Sequence, residues 1–409
     1  MSTPANAEER HATWLELFFD LVIVAAVAQL AHLLHEDVTG EKVVLFAFAY
    51  YAMWSVWTAF TLYANVSGIR TRQRSMLLAM LGIAVMAASI PIVERGTAGP
   101  FVIAYLCCRL LSIGSFKREN RVMTEWPGVQ QAIGVLPWVA SLALHDANRY
   151  WFWAAGIALD LYFSLARSRD PQALLAEERR ELERSLRRRH REQELDKVLA
   201  LQAATPDRPH LGERLGLFVI IVLGEAVAQL VNAAADVEHW RNGVWLVVVL
   251  GFGLLVALWW LTLRYGPSAA PTYGMRVFAL RLTMPAHYLT TVSIVVIAAG
   301  LGAMAGHPDG HVETSARLVL CSGAVLYFLI ATLMGARGGA SWRWVLGWGV
   351  PAVLVCAAAG VLGGPLPAWA LLAVVLAAAG WHIAYRRVSG VRGGQDDDAA
   401  EVAPSGDQL

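Results

Sequence analysis

The chain has 409 residues, 57% hydrophobic and 16% charged, with a net charge of +1 and a mean hydropathy of +0.48. Soluble domains are roughly 45–50% apolar and about 25% charged, so this composition excludes a soluble domain and a disordered chain. Near-neutral charge provides no field for nucleic acid, and no nucleic-acid partner is expected. What remains is a polytopic membrane protein whose constant partner is the lipid bilayer.

A helix needs about 20 apolar residues to cross the hydrocarbon core. Twelve stretches come close: 14–34, 43–64, 75–93, 99–116, 129–145, 150–166, 213–234, 242–264, 277–303, 316–336, 343–361 and 366–385. None alternates apolar and polar residues as a barrel strand does. The predicted fold class is all-α integral membrane, with about twelve transmembrane helices. Glycine and proline cluster between stretches at 96–100, 126–128 and 363–367. The long polar connection, 167–212, is rich in both charge signs and spaces Glu183 four residues before Arg187. It reads as a charged linker helix with salt bridges along it. The tail, 387–409, is acidic and polar and is expected to be disordered.

Lysine and arginine favour the cytoplasmic side of short connections. Arg10, Arg70, Arg72, Arg74, Lys117, Arg118, Arg121, Arg264, Arg276 and Arg281 fall on one side; so do Arg337, Arg343, Arg386, Arg387 and Arg392. Lys42, Arg95, Arg149 and Arg241 fall on the other. Both termini and the linker are therefore expected on the cytoplasmic side.

An internal repeat divides the chain. Residues 16–30 read ELFFDLVIVAAVAQL and residues 216–230 read GLFVIIVLGEAVAQL. Each follows a Glu-Arg pair, Glu9-Arg10 and Glu213-Arg214, and Trp57…Tyr63 is echoed by Trp259…Tyr265. The expected organisation is a first six-helix repeat (1–166), the linker (167–212) and a second six-helix repeat (213–386). An even number of crossings per half makes the repeats parallel, an arrangement that places sites near mid-depth between the halves. The ERHATWLELFFDLVIVAAVAQLAHLL opening and the later GERLGLFVIIVLGEAVAQL resemble the bacterial low temperature requirement A (LtrA) family. The resemblance covers nearly the whole chain. It implies a multi-pass protein of the bacterial cytoplasmic membrane, and it implies no particular substrate or reaction.

Ionisable residues within a span cost about 2.5–3.5 kcal/mol each at the centre and are the first functional candidates. Glu16 and Asp20 share a helix face with Glu9 and Thr13. Glu225 sits about 18 Å into its helix, with Gln229 one turn on. Arg109 is central in the fourth span, with Asp160, Asp20 and Glu225 as candidate mates. His287 follows Pro285, and His32 and His35 lie at the outer end of the first span. Trp54, Trp57, Trp259 and Trp260 lie deep enough to form an aromatic pocket. The cysteines lack metal spacing and no phosphate loop occurs, so neither metal nor cofactor is expected.

Two functions fit these residues. The first is a secondary transporter, proton- or cation-coupled, binding its ion or small substrate at Glu16, Asp20, Arg109, Asp160, Glu225, Gln229 and His287. The alternative is a membrane-embedded enzyme on a lipidic or isoprenoid substrate, with Asp20 or Glu225 as general acid and the four tryptophans as walls.

Overall fold

The computed structural model describes residues 11–34, 38–144, 148–167, 170–188, 190, 192–265, 278–306 and 312–389. Glu9, Arg10, His35, Arg276 and most of the acidic tail lie outside them. The described chain is mainly helical, with two three-residue strands. Among the described residues, nine helices are long and apolar enough to cross a membrane. The chain divides into two compact units, whose boundary falls within one helix, between Ile221 and Val222.

The first unit opens with α1 (Trp14–Leu33), α2 (Gly40–Ser67), α3 (Gln73–Glu94) and α4 (Gly99–Arg118). Thr39 caps α2 by accepting from the Lys42 N–H. Pro100 begins α4, where no helical donor is needed. These four elements match the predicted stretches within a few residues. Asn120, at φ +54°, turns the chain out of α4 into strand β1 (Arg121–Met123); asparagine tolerates this left-handed conformation.

The fifth predicted span departs from expectation. In place of one helix over 129–145, the chain forms a 3₁₀ turn at Pro127–Gln130 and a short helix, α5 (Val135–Ser141). Seven residues rise only about 10 Å, too little to cross alone. Pro127, Gly128, Gly134 and Pro137 explain the break, because proline and glycine interrupt helical hydrogen bonding. α6 (Arg149–Ala166) then packs closely on this broken segment. A Cβ at Gly134 would lie 2.2 Å from Asp160 Oδ1, and one at Gly156 would lie 2.5 Å from the Trp138 ring. Trp138 and Trp153 stack with centroids 4.7 Å apart.

The linker also differs from the single helix expected. It holds α7 (Pro171–Arg188), a 3₁₀ turn at Glu192–Glu194, α8 (Asp196–Leu199) and strand β2 (Gln202–Ala204). β2 pairs in parallel with β1, Arg121 opposite Gln202 and Met123 opposite Ala204. Arg179 of α7 donates to the Leu201 carbonyl at 2.7 Å. The Glu183–Arg187 pair forms as the spacing predicts, at 2.8 Å. α9 (Arg208–Ala235) begins five residues before the predicted 213.

The second unit contains α10 (Asn242–Tyr265), α11 (Leu280–Gly306), α12 (Thr314–Arg337), α13 (Trp342–Trp344), α14 (Val350–Leu362) and α15 (Ala368–Ser389). A π-turn, Val345–Gly349, joins α13 to α14. Gly349 faces Thr332 of α12, and Gly347 faces the Tyr385 ring of α15; a Cβ at either would fall within 2.5 Å of that neighbour. The loosened turn leaves carbonyls for other donors. Trp381 Nε1 reaches the Gly347 carbonyl at 2.8 Å, and the Tyr385 hydroxyl reaches that of Arg343 at 2.6 Å.

Candidate functional site

The start of α1 is a capping box. The Thr13 N–H and hydroxyl both donate to Glu16 Oε2 at 2.8 Å, and the Glu16 N–H approaches Thr13 Oγ1 at 3.3 Å. One turn deeper lies Asp20. Arg214 of α9 donates from Nη2 to Asp20 Oδ1 at 2.6 Å, and its Nη1 stands 3.3 Å from Glu16 Oε1. Trp57 of α2 donates from Nε1 to the same Asp20 Oδ1 at 2.7 Å. His210, one turn before Arg214, holds Nε2 3.6 Å from Glu16 Oε1. Glu16, Asp20, His210 and Arg214 are all buried, Asp20 and Arg214 at 0% exposure.

Three helices build this cluster: α1 and α9 turn their polar groups away from exposed apolar residues, and α2 brings Trp57 from a stretch buried throughout. On α1, Phe18 and Leu21 point outward while Phe19 and Ile23 join Asp20 inside. Phe218 of α9, one turn beyond Arg214, packs on the Trp57 ring with centroids 4.3 Å apart. Two carboxylates meet one guanidinium. Among the described residues, with His210 neutral, the two carboxylates face one fixed cation, and a proton on a carboxyl would balance them. Burial makes an uncompensated charge costly, so this arrangement can take up and release a proton.

A second buried pair sits at the break before α5. Arg109 Nη2 donates to Asp160 Oδ1 at 2.9 Å, to the Gly128 carbonyl at 2.9 Å and to the Gln131 carbonyl at 3.3 Å. Of the three candidate mates for Arg109, Asp160 is the one in contact. The pair acts as a clamp: the guanidinium satisfies carbonyls that the broken helix cannot, and Asp160 balances its charge. Irregular backbone inside a membrane requires such substitutes for helical bonds.

The sequence profile described as the bacterial low temperature requirement A protein (LtrA) matches residues 11–381. The chain belongs to the LtrA family. An uncharacterized protein of Rhizobium meliloti (strain 1021) is 25% identical over 312 residues, covering 72% of this chain and 68% of its own. No solved structure matches. A multi-pass membrane architecture agrees with both the family and the helices of this LtrA chain.

The remaining candidates of this family member are distributed elsewhere. Glu225 is buried on α9, where Gln229 Nε2 donates to its Oε1 at 2.7 Å. His287 is buried in α11, and its carbonyl accepts from the Thr291 hydroxyl at 2.9 Å. His32 is exposed near the end of α1. The four tryptophans divide between the two units. Trp54 and Trp57 are buried in α2, but Trp259 and Trp260 stand 45% and 39% exposed on α10. Trp260 lies under the Arg264 guanidinium at 5.3 Å, so these two rings occupy the outer flank of their helix.

Three members of the cluster escape sequence reasoning: Arg214, His210 and Asn65. In the sequence Arg214 stands out only as part of a flanking polar pair. Its signal is the four-residue spacing to Phe218 and Val222, which places all three on one helical face; both apolar partners are buried. Asn65, at the end of α2, is buried too. Its Nδ2 donates to the Asp207 carbonyl at 2.9 Å, and its Oδ1 accepts the Asp207 N–H at 2.8 Å. Nothing local in the sequence marks it.

Proposed function

We propose that this protein is a secondary transporter of the bacterial cytoplasmic membrane, coupled to protons or another cation. The observation that carries the reading is the buried cluster of Glu16, Asp20, His210 and Arg214, with two acids against one fixed cation. Ionisable groups in spans are expensive and mark ion pathways by default. A group that must gain a proton to become neutral in apolar surroundings is suited to coupling.

The order of elements supports the same reading. Each half counts six predicted stretches, the first opening with α1 and the second with α9, with termini on the cytoplasmic side and the halves parallel. The fifth element of each half is irregular: a 3₁₀ turn and the short α5 in the first, and a π-bulge within the continuous helix Trp342–Leu362 in the second. Irregular segments at corresponding positions of two halves are a pointer to a transporter binding site. In this reading residues 127–144 cross as a broken span. Arg149, at the start of α6, donates to the Gly96 carbonyl at 2.6 Å, near the start of α4, whereas β1 follows the end of α4. The transported species is a small ion or molecule. Glu225, buried on α9, is a further carboxylate suited to the same chemistry.

The test is proton and cation flux into liposomes containing the purified protein, beside Asp20→Asn and Glu225→Gln. Flux in the wild type that is lost in Asp20→Asn supports the carrier. Wild-type liposomes indistinguishable from empty ones under every imposed gradient refute it.

A further inference from the structure

Asn65 determines the chemistry of His210. Its Nδ2 lies 3.1 Å from His210 Nδ1. An amide nitrogen only donates, so the ring nitrogen must accept. The amide cannot be turned over to reverse these roles, because Asp207 fixes both ends: its N–H points at Oδ1 and its carbonyl receives from Nδ2. One amide hydrogen goes to the Asp207 carbonyl and the other to His210. His210 Nδ1 is therefore bare, and the ring's hydrogen sits on Nε2, facing Glu16 Oε1. A doubly protonated imidazolium would set an N–H against an N–H, and one amide hydrogen of the buried Asn65 would lose its acceptor.

The two acids then face one fixed cation among the described residues, Arg214, and a proton on a carboxyl balances the set. Among the described residues, the groups facing the ring and the acids come from three helices. They are Glu16 and Asp20 from α1, Trp57 and Asn65 from α2, and Arg214 with the preceding Asp207 around the start of α9. Glu16 receives two donors from Thr13 on Oε2, while its Oε1 is approached by Arg214 Nη1 at 3.3 Å and His210 Nε2 at 3.6 Å, as charge contacts rather than hydrogen bonds. That surrounding suits a carboxylate. Asp20 takes both of its bonds on Oδ1, while its buried Oδ2 has no hydrogen-bond partner among the described residues. We infer that Asn65 is a positioning residue that locks His210 in the neutral Nε2–H tautomer, and that Asp20 Oδ2 carries the exchangeable proton of the cluster. The consequence for coupling rests on the transporter reading, but the assignment of tautomer and proton does not.

The experiment is nitrogen NMR of the full-length protein in nanodiscs with labelled histidine, the His210 signal being assigned by its loss in His210→Gln. The expected wild-type spectrum has a bare Nδ1 and a protonated Nε2. In Asn65→Asp the acceptor at that place invites a second proton, and His210 should become an imidazolium under the same conditions. Infrared spectra of the same samples should show a protonated carboxyl band that disappears in Asp20→Asn and persists in Glu16→Gln. An imidazolium or an Nδ1–H tautomer in the wild type overturns the lock, whether or not Asn65→Asp folds. A carboxyl band lost in Glu16→Gln instead overturns the assignment to Asp20. These spectra are read without any gradient, so expected spectra with no flux would refute the transporter and leave the lock standing.

Discussion

The clamp at the broken fifth span makes a prediction of unusual sign. Asp160→Asn keeps the side chain's shape, which matters because Gly134 leaves no room for a larger group. It leaves the buried Arg109 guanidinium with carbonyl partners but no counter-charge. Breaking a buried pair from one side costs about 3–5 kcal/mol, and Arg109 and Asp160 are 2% and 3% exposed. Arg109→Met should cost at least as much, since it strands Asp160 and also deprives the Gly128 and Gln131 carbonyls of their donor, at about 1–3 kcal/mol each. Adding Asp160→Asn to Arg109→Met removes the stranded charge. The second substitution should therefore stabilise the first by several kcal/mol, on the order of the 3–5 kcal/mol that it costs in the wild type. Reversible unfolding by sodium dodecyl sulfate in mixed micelles measures all four proteins. Additivity within about 0.5 kcal/mol would show that the pair is not a clamp.

Three other expectations follow from named contacts. Gly156→Ala, whose new methyl would lie 2.5 Å from Trp138, should destabilise by about 1–3 kcal/mol in the same unfolding assay. Trp57→Phe removes one of the two donors on Asp20 and, with that carboxyl protonated, should cost about 0.5–1.5 kcal/mol; an unchanged unfolding midpoint would contradict the bond. In detergent, Cys107 is exposed while Cys108, Cys321 and Cys356 are buried, so a maleimide should alkylate one thiol at least about tenfold faster than the rest. Mass spectrometry of the labelled peptides identifies it, and Cys107→Ser should abolish the fast phase.

What the sequence made legible depended on range. The long spans α1 to α4 and α9 to α12 announce themselves by unbroken apolar length, and the helix ends fall beside Gly, Pro and charged residues. The fifth span misled because apolar composition does not distinguish a helix from a 3₁₀ turn followed by seven helical residues. The decisive contact, Arg109 to the Gly128 and Gln131 carbonyls, is tertiary. Asp20 and Glu16 were visible because a carboxylate between phenylalanines and leucines is conspicuous. Their partners were hidden by distance along the chain, and the Asn65 lock by the ordinariness of an asparagine at a helix end. For the tryptophans, depth along a helix was legible, but the exposure of Trp259 and Trp260 is set by how α10 packs.

The pairing of Asp20 with Arg214 also sets a timetable. The two are 194 residues apart, and ribosomes add about 5–20 residues per second. Asp20 thus leaves the ribosome about 10–40 s before its cation exists. Throughout that interval the first helix holds an acid without its permanent counter-charge, and lipid, water or the insertion machinery must tolerate it. A chain truncated after α6 would stay in that condition for good, which makes the first half a poor candidate for independent life.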